Sequence, residues 1–155
     1  MPRPTSAGLV MVRVGSPARF LLLHPGGPYF RKRDDRVWSI PKGLPEEGEA
    51  LLDCARREMR EETGYEPPTD GFVDLGEVRQ SKKDVRAWAF RNDEWDPASL
   101  VSEPFELEWP PRSGQMASFP EVDRGAFFTL EEAAPRIVKA QLELIERAAG
   151  RLREL

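Results

Sequence analysis

Glu58, Glu61 and Glu62 stand within a single helical turn of one another. At about 100° per residue, the run from Ala50 to Thr63 predicts a helix with three sectors. Leu51, Leu52, Ala55 and Met59 form one apolar stripe, and Asp53, Arg56 and Arg60 share the opposite face. Glu58 and Glu62, four apart, share a side with Glu61, and Glu62 falls between the directions of Leu51 and Ala55, beside the core. Burying a carboxylate there costs several kcal/mol unless a cation or a set of donors compensates it. Three carboxylates in one turn also repel one another, and a bound divalent metal ion answers both problems. Ligands that are all oxygen select a hard ion, Mg²⁺ or Mn²⁺, over zinc. An isolated acidic run of this kind is more often a solvated helix face paired with arginines such as Arg57 and Arg60, so the triplet alone does not decide.

The spacing around it does. Gly43 is followed after five residues by Glu49, and seven residues later come Arg57-Glu58-Met59. After one further residue come Glu61-Glu62, and after one more Gly64-Tyr65. This pattern resembles the Nudix hydrolase signature at its invariant positions. The last position, usually Ile, Leu or Val in that family, is Tyr65, which can still bury its ring. The resemblance implies an α/β fold with a mixed (α+β) sheet between helices, an α/β/α sandwich, and cleavage of a nucleoside diphosphate linked to another group by metal-assisted attack of water on phosphorus. Carried over residue by residue, it makes Glu58, Glu61 and Glu62 the metal carboxylates, with the Gly43 carbonyl a further ligand. Arg57 would orient the glutamates, and Glu49 would support the loop. Glu58 or Glu61 could serve as general base, a role left open because the family also supplies it from outside the motif. The Trp38-Ser39-Ile40-Pro41-Lys42-Gly43 entry resembles the branch that hydrolyses dinucleoside polyphosphates. Nucleoside triphosphates, including oxidised ones, and sugar nucleotides are the alternative substrates.

The remaining elements must hold that stretch. Ala7–Val14 reads as a buried strand and Arg19–Leu23 as its hairpin partner across Gly15-Ser16-Pro17. His24, the one histidine, ends the second strand in a structural role or against substrate; with it alone, and without a G-x-S-x-G elbow, no serine or cysteine triad is legible. Pro25–Arg36 is a loop whose Arg31, Lys32 and Arg33 are either solvated or face the acidic helix to hold a polyphosphate. Val37–Ile40 is expected as a short strand, and Lys42 is placed to reach a phosphate. Gly71–Arg79 and Val85–Arg91 form a second hairpin around Ser81–Asp84, with Lys82 and Lys83 read as a plain tip in preference to a ligand site. Asn92–Pro120 reads as an irregular, functional loop. It brings Glu103, Glu106 and Glu108, and just after it Glu121, as candidates for a further ligand or the base. Trp95 and Trp109 either anchor it or stack on a base. Glu121–Phe128 returns as a strand, Thr129–Glu132 carries a capping box, and Ile137 to Ala148 make an amphipathic helix packed on the core, with a homodimer contact as the lesser use of its face.

At 155 residues the chain is expected to form one domain, residues 1–155, long enough to bury roughly two thirds of its unfolded surface. A net charge of −4 argues against a general nucleic-acid binder. One cysteine, Cys54, excludes an internal disulfide and suits a reducing compartment. The opening MPRPTSAG lacks a secretory pattern and no apolar run has the ~20 residues of a membrane span, so a cytoplasmic enzyme acting on a small nucleotide or polyphosphate is expected. A Nudix-fold sensor without catalysis is the rival from another class, disfavoured by the complete glutamate set. An acidic interaction protein would leave the spacing of Gly43 and Gly64 without a purpose.

Overall fold

Every residue from Ser6 to Val12 of the first strand, Thr5–Arg13 (β1), is buried, so this strand requires cover on both faces. The computed structural model describes residues 3–155; Met1 and Pro2, the head of the stretch read as lacking a secretory signal, lie outside them. Around β1 a mixed sheet forms from Arg19–Pro25 (β2), Lys42–Gly43 (β3), Val73–Gln80 (β4), Lys83–Arg91 (β5) and a later strand, Val122–Phe128 (β8). Its order is β4-β5-β1-β2-β8, with β3 also on β1. β1 and β5 are parallel over eight residue pairs, and every other pairing in the sheet is antiparallel.

Alternation sends successive side chains to opposite faces. Val10, Val12, Phe20, Leu22, Val85 and Ala87 meet the C-terminal segment, whose helix Leu142–Ala149 (α3) buries Leu144, Ile145 and Ala148. Ala7, Leu9, Met11, Leu21, Leu23 and Phe90 meet the helix Leu51–Thr63 (α1) through Cys54, Ala55 and Met59. Each fully buried Leu or Met contributes about 2 kcal/mol. The expected sheet between helices is therefore present. Tyr65 does bury part of its ring, stacking on Phe90 at 6.2 Å between centroids while its hydroxyl accepts from Asn92 at 2.9 Å. Gly64 ends α1 in the left-handed region at φ +79 and donates to the Arg60 carbonyl.

The segment that precedes α1 is driven into the sheet as a wedge. β1 and β2 are in direct register only near their turn, at Val12 with Phe20 and Arg13 with Arg19. Farther on, the Leu9 amide donates to the Pro41 carbonyl at 3.1 Å, and Leu23 and Ser39 exchange bonds of 2.8 and 3.0 Å. Gly8 makes room, since a Cβ there would stand 2.6 Å from the Pro41 oxygen.

Three expectations need correction. Val37–Ile40 is not a strand; it makes isolated bridges at Trp38 and Ser39, and the paired residues are Lys42 and Gly43. Asn92–Pro120 is not irregular throughout. Pro104–Glu108 (β6) and Met116–Pro120 (β7) pair as a separate hairpin, with Phe105, Leu107, Ala117 and Phe119 half-buried and the residues between them exposed. The C-terminal helix is also interrupted. After the capped turn Leu130–Ala133 (α2), where Thr129 and Glu132 form the expected capping box, a 3₁₀ turn at Lys139–Gln141 precedes α3. That turn ends on Gln141, fully buried, whose amide points inward to Ile40, Ser39 and Gln80.

Candidate active site

Arg57 is the hub of the acidic face of α1. Its Nε and Nη2 donate to the two carboxylate oxygens of Glu49, both at 2.9 Å, while Nη1 reaches Glu58 at 3.1 Å and both oxygens of Glu61 at 3.1 Å. Nη2 also donates to the Leu44 carbonyl at 3.1 Å, tying the loop before α1 to the helix. The fork geometry suits a guanidinium and not an ammonium. The hydrogen bond from Arg57 holds the Glu49 carboxyl down at about 2.

Glu62 is 9% exposed and forms no ion pair among the described residues. It accepts the Lys42 amide at 2.9 Å. Burial, and then the charge of Glu58, raise its carboxyl well above the usual range. Glu58 is raised as well, by burial and then by Glu61, with Arg57 opposing. Gly43 is demanded by contact: a Cβ there would stand 2.1 Å from the Glu58 carboxyl carbon. The Gly43 carbonyl accepts a weak bond from the Cys54 thiol at 3.4 Å, and burial pushes that thiol up to about 11. Burial and then neighbouring Lys83 bring Lys42 down to about 8.

Of the four later glutamates, Glu121 and Glu103 come to the cluster. The Glu103 amide donates to the Glu61 carbonyl at 2.9 Å, and the Glu121 amide donates to the Glu103 carbonyl at 3.0 Å. Low-dielectric surroundings, then the charges of Glu61 and Glu103, raise the Glu121 carboxyl. Lys42, Glu62, Glu121, Ser39 and Ile40 line a cavity of about 240 Å³. Glu106 and Glu108 sit exposed on β6, where Glu108 accepts the Arg112 amide.

The donor set fits a hard divalent cation by its chemistry, being all carboxylate and carbonyl oxygen, crowded and in part buried. With Arg57 bonded to Glu58 and Glu61, no three such side chains among the described residues converge as a ready cage. Glu58, Glu61, Glu62 and Glu121 are nonetheless the groups whose mutual repulsion an added cation relieves.

Other singled-out residues lie elsewhere. Arg31 and Arg33 line a second cleft with Lys32, Tyr29, Pro28 and Trp109, of about 400 Å³, apart from the cavity at Glu62. His24 is fully buried, with Nε2 donating to the Arg33 carbonyl at 2.6 Å and Nδ1 lying 2.9 Å from the Asp123 carboxylate; it braces the loop. Trp95 packs against Tyr65 at 6.0 Å and its carbonyl accepts Arg13 at 2.6 Å, an anchoring role. Lys82 lies at the β4–β5 turn. Sequence reasoning overlooked Gln141, which accepts the Ile40 amide at 3.0 Å and donates to Ser39 and Gln80 at 3.1 and 3.0 Å, fixing the wedge from beneath. Its place four after Ile137, on the buried stripe, was the available signal.

A family model described as NUDIX domain matches residues 2–148. The RNA pyrophosphohydrolase of Caulobacter vibrioides (strain NA1000 / CB15N) is 32% identical over 101 residues, 57% of this chain and 59% of that protein. The match thus spans less than two thirds of the length of the curated relatives. Among solved structures, the NUDIX domain of Shewanella oneidensis NrtR complexed with ADP ribose superposes with a TM-score of 0.66 at 16% identity, covering 98% of this chain and 90% of that one. A C. elegans Ap4A hydrolase binary complex gives 0.64 at 21% identity, covering 97% and 99%. At these identities the structural likenesses establish the fold.

Proposed function

This chain belongs to the NUDIX family, and from that premise we propose that it is a hydrolase of phosphorus-containing acid anhydrides. It cleaves a P–O–P bridge of a nucleoside polyphosphate by attack of water on phosphorus, and dinucleoside polyphosphates are the first candidates. The observation that carries this reading is Glu62, buried without an ion pair among the described residues and crowded by Glu58. Such a carboxylate is costly unless a cation joins it.

Members of the family generally use divalent metals. Glu58, Glu61, Glu62 and the Gly43 carbonyl would hold Mg²⁺ or Mn²⁺ here, and the bound ion would supply positive charge near the phosphate oxygens and polarise water. Arg57, bonded to Glu49, Glu58 and Glu61 at once, fixes the carboxylates relative to the loop. Lys42, brought down to about 8 by burial and Lys83, is charged at neutral pH, and a phosphate beside it would strengthen that charge. Glu58 and Glu121 have raised pKa values, as suits a general base working near neutral pH. We place the enzyme in the cytosol, which its single unbridged cysteine favours.

A second reading, pyrophosphohydrolysis of RNA, is favoured by the 32% identity with a relative of that name. One experiment tests both. Diadenosine tetraphosphate, ATP and a triphosphorylated RNA are offered with saturating Mg²⁺ to the wild type and to Glu62→Gln. Cleavage of at least one, lost in a folded Glu62→Gln, is expected. Undiminished turnover in that variant removes Glu62 from the mechanism, and binding without cleavage of any substrate leaves a sensor in place of an enzyme. A kcat/KM for diadenosine tetraphosphate no greater than that for ATP overturns the dinucleoside assignment.

A further inference from the structure

Arg31, Lys32 and Arg33 are exposed and form no ion pair among the described residues. Many of the other arginines close on acids, as Arg57, Arg86, Arg147 and Arg151 do, and the chain as a whole is acidic, at −4. Three adjacent exposed cations make a local positive patch on an acidic chain, and such a patch attracts an anion. Asp34, next in sequence, is turned away: it accepts the Trp38 indole N–H at 2.8 Å and pairs with Arg136 at 3.3 Å.

Facing these cations, across a cleft of about 400 Å³, stands Trp109 at the end of β6. Tyr29 meets it edge to face, with centroids 5.4 Å apart, and is 58% exposed. The volume lies within the range of small-ligand sites. Both walls are held in advance. The loop is bonded from below by His24 to the Arg33 carbonyl at 2.6 Å and by the Gly26 amide to the Glu121 carbonyl at 2.9 Å. Gly27 lies so close to Phe105 of β6 that a Cβ would stand 3.0 Å from its ring. Aromatic surface beside a cluster of cations matches a flat base joined to phosphates, and the Gly26 bond ties the root of this loop to the segment that carries Glu121.

We propose that this cleft binds the nucleoside end of the substrate remote from the bond that is cleaved, its base on Trp109 and Tyr29 and its phosphates on Arg31, Lys32 and Arg33. It rests on the reading of the chain as a nucleoside polyphosphate hydrolase, and its test does not depend on turnover. In EDTA the carboxylate cluster repels anions, so ATP and inorganic tripolyphosphate report on the cleft. Calorimetry is run on the wild type, Trp109→Ala, Trp109→Phe and Arg31→Ala/Arg33→Ala, each checked for an unchanged circular dichroism spectrum. Trp109→Ala is expected to weaken ATP about tenfold and leave tripolyphosphate unchanged, with Trp109→Phe close to wild type. The double arginine variant is expected to weaken both ligands by at least about tenfold. ATP affinity indifferent to Trp109→Ala, or no wild-type binding at millimolar ATP, overturns the proposal. These results are separable from failure of the hydrolase reading, which shows as absent cleavage with Mg²⁺. Diadenosine tetraphosphate and a triphosphorylated dinucleotide of RNA, compared in the same titration, identify which source supplies the base: the tighter ligand is the physiological type, and Trp109→Ala weakens it.

Discussion

Replacing Arg57 by Met keeps an apolar stem of similar length and removes every donor. The largest identifiable loss is the bidentate pair with Glu49, whose carboxyl Arg57 holds at about 2 against 4.5 for an unperturbed glutamate. At about 1.36 kcal/mol per pK unit the pair is worth at most about 3 kcal/mol at neutral pH. The two side chains are 18 and 17% exposed, and solvent screening lowers that to about 2 kcal/mol. Because the folded value lies below the unfolded one, this stabilisation is complete above about pH 4.5 and disappears as pH falls toward about 2. Urea unfolding of wild type and Arg57→Met in EDTA should therefore differ by about 2 kcal/mol at about pH 7 and by less than half of that at about pH 3. Uncrowned Glu58 and Glu61 repel each other more strongly in the variant, which adds to the difference at neutral pH and not at acid pH. A difference independent of pH would show that the stem's packing, and not its charge, is what Arg57 supplies, and the account of the hub would be wrong.

Two further outcomes follow from the same site. Gly43→Ala places a Cβ 2.1 Å from the Glu58 carboxyl carbon; the flexible side chain moves aside, so the Tm should change little while kcat falls about 100-fold, and an unchanged kcat would deny Glu58 a role in the reaction. Glu58, Glu62 and Glu121 have folded pKa values above their ordinary ones, so the stability they lend is complete below about pH 4.5 and is lost as pH rises through the raised values. In EDTA the wild-type Tm should fall relative to Glu62→Gln as pH rises above about 4.5, while Lys42, at about 8, keeps its proton, and millimolar Mg²⁺ should restore it. Parallel Tm profiles for the two proteins would show that the cluster is not under the strain described.

The parts of the molecule legible in its sequence are those where one physical rule acted alone. The period of α1 placed Glu58, Glu61 and Glu62 on one side and Glu62 against the core, and the structure has them there. Strands β1, β2, β4, β5 and β8 were readable from their β-branched and aromatic runs. The β6–β7 hairpin was hidden although Phe105 and Leu107 alternate with Glu106 and Glu108, because its strands are five residues long and Pro and Trp interrupt the pattern. Gln141 was harder for another reason: its place four after Ile137 marks it as buried, but its burial serves Ile40 and Ser39, about a hundred residues distant in sequence, and no local pattern names those partners. Glu121 could not be told from Glu103, Glu106 and Glu108, since the choice rests on backbone bonds in which the Glu103 amide donates to Glu61 and the Glu121 amide to Glu103.

The wedge of Ser39–Gly43 between β1 and β2 has an implication for how such a molecule can change. It closes the sheet where β1 and β2 part, so the segment carrying Lys42 and Gly43 cannot be lengthened, shortened or relaxed without unzipping the centre of the fold. The Pro25–Arg36 loop and the β6–β7 hairpin are attached from outside, by bonds at Gly26, Arg33, Asp34 and Arg36 and at Glu103 and Glu121. Selection can therefore rebuild the outer pieces for a new ligand while the inner seam stays fixed, and a designer who wants an altered preference should recombine those two outer pieces together and leave the seam untouched.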